Sequence, residues 1–118
     1  MDKKKIVFLT GTRADFGKLK SLISITQNSE NFDVHIFVTG MHMNALYGST
    51  AIEIKKHGFK NIYQFINHDS VGMDRTLAKT VEGFSHYIEQ ITPDLIVIHG
   101  DRVEALSGAI VGSLNNIL

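Results

Sequence analysis

Short apolar, β-branched runs alternate along this chain with longer segments of helical period. The runs are Ile6-Val7-Phe8-Leu9, Val34-His35-Ile36-Phe37-Val38, Ile62-Tyr63-Gln64-Phe65 and Leu95-Ile96-Val97-Ile98-His99. The first and last are continuous rather than alternating, which suits strands covered on both faces. Between the runs, residues 16–27 place Phe16, Leu19, Leu22 and Ile23 on one helical face. The strongest helical signal spans 74–91, where Leu77, Val81, Phe84 and Ile88 share a stripe behind the start signal Asp74. Residues 102–114 repeat the pattern with Val103, Leu106, Ile110 and Leu114, and 45–57 form a weaker helix closed by Gly58 in the C′ role. Leu77, Val81, Phe84, Ile88, Leu106 and Ile110 are the expected buried positions of the two stronger stripes. Residues 66–73 are the longest irregular stretch between strong elements.

Strands alternating with helices imply right-handed crossovers and a parallel sheet with helices on both faces, in the order 3-2-1-4. There is no internal repeat and no low-complexity segment. After the last helical segment, Asn115-Asn116 signals a turn and Ile117-Leu118 reads as the opening of a further strand. The expectation is therefore one domain over residues 1–118, cut from a longer chain whose second domain is absent.

Composition narrows the functions. With 12 Lys and Arg against 12 Asp and Glu, the net charge is zero, so the basic face of a general nucleic-acid binder is missing. The absence of Cys removes disulfides, zinc-thiolate sites and thiol nucleophiles. No apolar run approaches the roughly 20 residues of a membrane span, and the start lacks a signal-peptide core, so a soluble cytoplasmic chain without membrane partners is expected.

In a doubly wound sheet, ligands bind outside the carboxyl ends of the strands, where the strand order reverses. That crevice lies between the first and fourth strands, and polar segments follow both: Thr10-Gly11-Thr12-Arg13-Ala14-Asp15-Phe16-Gly17-Lys18 and His99-Gly100-Asp101-Arg102-Val103-Glu104. The first is neither a dinucleotide fingerprint, which needs Gly where Arg13 stands, nor a P-loop. Gly11 permits a tight turn, while Arg13 and Lys18 supply cationic donors near a helix N-terminus, where anions are favoured. A phosphate-bearing ligand is one reading; the other is that Arg13 pairs with Asp15 or Asp101 for structure and Lys18 is solvated. Asp101 has two readings as well, a helix N-cap or a general acid/base beside Arg102, which can hold a second anion. His42, after the second strand, faces the same end of the sheet and is expected to line the cleft. Arg13, His42 and Asp101 should share one crevice, with the Cα atoms of Arg13 and Asp101 within roughly 12 Å. The six His residues show no paired-ligand spacing, so no metal site is expected. His35 and His99 read as structural, Met41 and Met43 as packing, and Lys3-Lys4-Lys5 as a solvated entry to the first strand.

At these loops the sequence resembles the UDP-N-acetylglucosamine 2-epimerase family, particularly its hydrolysing, sialic-acid-pathway branch. The matching segments are residues 11–19, Thr39-Gly40-Met41-His42, Pro93-Asp94, and His99-Gly100-Asp101-Arg102-Val103-Glu104-Ala105-Leu106. Together they are specific; Gly-Asp-Arg alone is weak. The resemblance implies a Rossmann-like domain forming the N-terminal half of a two-domain enzyme similar to GT-B glycosyltransferases, with the active site between the halves. Hydrolysing members eliminate UDP from UDP-N-acetylglucosamine and hydrate the resulting glycal to N-acetylmannosamine. By match of motif, Asp101 is implied as the acid/base residue, Arg13 and Arg102 as contacts to diphosphate or sugar, and Gly17 and Lys18 as members of the phosphate-facing loop. Arg102 follows the hydrolysing pattern, since non-hydrolysing relatives usually carry Thr there. The resemblance implies a UDP-amino sugar as substrate and no metal or nicotinamide cofactor, and it is compatible with a homo-oligomer of the full-length protein. One half of such a site is expected to be inactive alone. A glycosyltransferase half-domain and a non-catalytic sugar-nucleotide binder are the competing readings; the binder needs Arg13 but not Asp101.

Overall fold

The computed structural model describes residues 3–11, 13–39, 61–65, 73–99 and 103–118. Within them run β1 (Lys4–Thr10), α1 (Arg13–Gln27), β2 (Phe32–Val38), β3 (Ile62–Gln64), α2 (Met73–Ile91), β4 (Leu95–Val97) and α3 (Val103–Leu114). The strands form one parallel sheet in the order β3-β2-β1-β4, as the alternating pattern predicts. The expected helix over 45–57 with its Gly58 cap lies outside the described residues. Of the stretch 66–73, Met73 belongs to α2 and the remainder also lies outside them.

Side-chain alternation along β1 divides the core in two. Ile6 and Phe8 pack on one face with Leu19 and Ile23 of α1 and Val34, Ile36 and Val38 of β2. Val7 and Leu9 point the other way, joining Phe37, Phe84, Tyr87, Ile88 and Val111 beneath α2 and α3. From Ile6 to Thr10 the strand is buried on both sides, which is why its apolar run is continuous. Phe37 organises the second face. Its ring meets Phe84 edge-on at 4.9 Å, Tyr87 at 5.0 Å, and Tyr63 in a stack at 5.5 Å. Such ring pairs add to the free energy of plain burial. Phe65 completes the cluster, and its ring occupies the space that a Cβ on Gly83 would need.

Several expectations need correcting. Phe84 and Ile88 are buried and Leu77, Val81 and Ile110 half-buried, but Leu106 is 50% exposed. The stripe that α3 lays on the sheet consists of Ser107, Gly108, Val111 and Gly112, all buried. Small residues let the helix approach closely, and the larger stripe is rotated away. Leu22 is 45% exposed for a related reason: α1 reaches the core through Leu19, Ile23 and Thr26. The last strand is not covered on both faces, since Leu95 is exposed and Ile96 and Val97 are half-buried. Its outer edge receives the chain's end, where the Ile96 N–H donates to the Leu118 carbonyl at 2.6 Å.

Lys3 and Lys4 are exposed as expected, but Lys5 is tied down at the amino end of the sheet. Its ammonium donates to the Ile91 carbonyl at 3.0 Å, where the C-terminus of α2 concentrates negative partial charge. The Lys5 backbone N–H donates to Asp94 Oδ2 at 2.8 Å, and the Asp94 N–H returns a bond to the Lys5 carbonyl at 2.9 Å. This double clamp sets where β4 begins beside β1. His35 is structural as expected, its Nε2 lying 3.1 Å from Asp33 Oδ2.

Tyr87 is buried, and among the described residues its hydroxyl has no hydrogen-bond partner. Burial, reinforced by Tyr63 and Asp33, pushes its pKa well above the ordinary 10.0. The folded state therefore holds this proton at pH values where the unfolded chain releases it. Stability falls as pH rises above about 10. Tyr87→Phe removes an unpaired hydroxyl while keeping the ring, so it should raise stability by about 1 kcal/mol at neutral pH. It should also flatten the alkaline decline. Denaturant titration at pH 7 and pH 11 measures both effects.

Candidate functional site

β1 is the point at which the strand order reverses. The chain passes from β1 to β2 and β3 on one side, then crosses back to place β4 on the other. Register aligns the carboxyl ends: Phe8 pairs with Ile36 and with Val97, and Thr10 pairs with Val38. The Thr39 N–H extends this ladder by donating to the Thr10 carbonyl at 3.0 Å. Gly11 after β1, Thr39 after β2 and Ile98-His99 after β4 consequently leave the sheet at one edge, with neighbouring strands about 4.8 Å apart. This is the edge at which open α/β sheets bind ligands.

Local sequence accounts for the way the chain turns there. Gly11 is buried directly after β1, and α1 opens at Arg13, so the helix starts almost on top of the strand end. The unpaired N–H groups of its first turn belong to the same edge and favour anions. β4 ends at Val97 and α3 begins at Val103, with Ile98 and His99 described after the strand.

Of the expected site residues, Gly17 and Lys18 are described, and both are exposed on α1. A Cβ on Gly17 would meet nothing within 4 Å, so no packing within the described residues calls for glycine there. Arg13 opens α1 through its backbone, and its side chain lies outside the described residues. His42, Asp101 and Arg102 also lie outside them, so the expected Arg13–Asp101 separation is not among the described geometry. What the described residues bring to one edge is Gly11 before α1, Thr39 after β2 and His99 after β4.

Thr10 and Thr39 are fully buried at this edge, and among the described residues the Thr39 hydroxyl has no hydrogen-bond partner. Sequence reading included Thr39 only as part of a motif; its position directly after a buried strand was the available signal. A groove of about 530 Å³ lies elsewhere, between Leu77, Val81 and His86 of α2 and Ile110 of α3, and includes none of the strand-edge residues. Among the described residues no three His, Asp or Glu side chains gather as a metal site. Nor, among them, is any helix long and apolar enough to cross a membrane.

The family model described as UDP-N-acetylglucosamine 2-epimerase matches residues 24–118. The chain belongs to the UDP-N-acetylglucosamine 2-epimerase family. A relative named UDP-N-acetylglucosamine 2-epimerase, from Neisseria meningitidis serogroup B, is 43% identical over 98% of the chain and 31% of its own length. The UDP-N,N'-diacetylbacillosamine 2-epimerase (hydrolyzing) of Legionella pneumophila is 37% identical over 97% of the chain and 31% of its own length. Among solved structures, the Methanocaldococcus jannaschii UDP-GlcNAc 2-epimerase in complex with UDP-GlcNAc and UDP superposes with a TM-score of 0.81 at 25% identity. That match covers 96% of this chain and 30% of the other. The chain thus spans about 31% of the length of these curated epimerase relatives. Its Rossmann-like sheet is shared with GT-B-type proteins such as Acinetobacter baumannii MurG, where a TM-score of 0.74 at 16% identity is a likeness of fold alone.

Thr39→Val replaces an unpaired buried hydroxyl with a methyl group of similar size. Stability should be unchanged or rise by up to about 1 kcal/mol, because no hydrogen bond is lost. Thermal unfolding of the two proteins side by side checks this.

Proposed function

We propose that this chain forms one wall of a hydrolysing UDP-N-acetylglucosamine 2-epimerase, which converts UDP-N-acetylglucosamine to N-acetylmannosamine and UDP for sialic-acid-type sugar synthesis. The observation that carries the proposal is topological: in a chain of this family, β1 and β4 lie side by side and parallel, and their ends lead in sequence to Arg13 and to Asp101. The hydrolysing reading draws support from Arg102 and from the Legionella relative's name. The UDP-sugar reading draws support from the ligands in the Methanocaldococcus structure.

In this scheme Arg13, Lys18, Arg102 and the first turn of α1 bind the diphosphate, and Gly17 leaves room for it against the helix. Asp101 acts as acid/base at the sugar, and His42 lines the same cleft. Elimination breaks the anomeric C–O bond, and the electron pair leaves with UDP. The proton at C2 passes to a base, giving a glycal. Water then adds across the double bond: hydroxyl to C1, and a proton to C2 from the opposite face. Preorganised cationic donors stabilise the charge that develops on the departing diphosphate. A positioned base contributes roughly 10²–10⁴-fold.

The test uses the full-length enzyme and UDP-N-acetylglucosamine, with products resolved by mass spectrometry. Free UDP together with N-acetylmannosamine supports the proposal, whereas UDP-N-acetylmannosamine as the end product replaces it with the non-hydrolysing reaction. Asp101→Asn should lower kcat by about 10²-fold or more. Turnover unchanged by that substitution would remove Asp101 from the chemistry. Gly17→Ala separates structure from function: helix propensity predicts a gain of about 1 kcal/mol in stability, while crowding of the diphosphate predicts a raised KM. Residues 1–118 alone should release no UDP, because a single wall neither excludes water nor holds the uridine.

A further inference from the structure

The surface that α2 and α3 turn away from the sheet is apolar where a solvated face would be charged. From Ala105 to Leu114, α3 carries no charged residue. Its sheet-facing row is the small one, Ser107, Gly108, Val111 and Gly112, so Leu106, Ile110 and Leu114 form a ridge on another side. Leu106 is 50% exposed and Leu114 79%. A helix that is apolar all round is one covered all round. Beside this ridge lies the groove of about 530 Å³, lined by Leu77, Ala78, Val81 and Ser85 of α2 and walled by Ile110. Asp74, Glu82 and His86 border it. An apolar centre with a polar rim is the composition of a protein–protein contact.

We propose that this α2–α3 face is where a second copy of the chain docks, about a two-fold axis that sets the Leu106–Ile110–Leu114 ridge of each copy into the α2 groove of the other. Ridge and groove lie next to each other on one face, so a two-fold rotation brings each onto its counterpart, as an isologous contact requires. From Leu106 to Leu114 and from Leu77 to Ser85, both run for about 12 Å along their helices. A partner that matched only the ridge or only the groove would leave the other open, whereas a second copy covers both. The zero formal net charge means that two copies meet without net repulsion. With α2 about 28 Å and α3 about 18 Å long, and each about 10 Å across, the two-helix face matches a standard contact of about 800 Å² per partner. The groove includes none of the strand-edge residues, so the proposal stands apart from the catalytic assignment.

The experiment is sedimentation equilibrium of the full-length protein over a range of concentrations, with circular dichroism as the check of folding. The parent should be a dimer. Leu106→Glu with Leu114→Glu places unpaired carboxylates in the contact and should raise the dimer Kd by about 100-fold or more. Ile25→Glu, at a 70% exposed position on α1, should leave Kd within threefold. A monomeric parent overturns the proposal, whether the face is open or covered by the remainder of its own chain. So does a folded double variant whose Kd rises less than tenfold, since the dimer then uses another surface. Where the double variant does not fold, Leu114→Ala decides, because it only truncates a mostly exposed side chain. Its Kd should rise by about tenfold, and a Kd within twofold of the parent overturns the proposal.

Discussion

Everything in this fold depends on β1 being paired on both edges and buried on both faces. Its backbone hydrogen bonds go to β2 and β4, while its side chains go alternately to α1 and to the α2–α3 layer. A polar group within Ile6–Leu9 would lack a partner on either side, so the run is wholly apolar. The same arrangement makes the carboxyl end of β1 the place where the strand order reverses. The chain leaves the most constrained part of the molecule at Gly11, directly beside the start of α1, and the site segments are anchored to that core.

The sheet order and its two-layer cover were legible in the sequence because continuous β-branched runs and helical stripes carry different periods. Which face each helix turns inward was legible only in part. In α2 Phe84 and Ile88 face inward as the pattern predicts, and Thr80 and Tyr87, outside the predicted stripe, are buried with them. In α3 pattern and packing diverge: hydrophobicity favours Leu106 and Ile110, while close approach selects Ser107, Gly108, Val111 and Gly112. A stripe defined by small size leaves almost no trace in a hydrophobic pattern. Lys5 escaped for another reason, since its partners Ile91 and Asp94 are distant in sequence and meet it only after the sheet has formed.

For the candidate site, the sequence supplies residue types and the topology supplies the neighbouring strand ends. Arg13 and Asp101 lie far apart along the chain, and the parallel pairing of β4 with β1 sets the strand ends that precede them side by side. Gly17 and Lys18, singled out by motif and helical position, are exposed on α1. Thr39 is subtler. Its position after a buried strand signals burial, while its hydroxyl's lack of a partner among the described residues is a property of packing that no residue pattern encodes.

The clamp between Lys5 and Asp94 bears on how the molecule comes together during synthesis. β1 is made before the other described strands and can pair with β2 as soon as α1 has formed. The partner for its other edge, and the two helices that cover Val7 and Leu9, arrive much later. Until then one side of the central strand presents an open hydrogen-bonding edge and an uncovered apolar face. Contacts of such long sequence separation close slowly, and unpaired strand edges invite aggregation while they wait. An edge left open during synthesis is thus the counterpart of placing a strand made before β4 at the centre of the sheet.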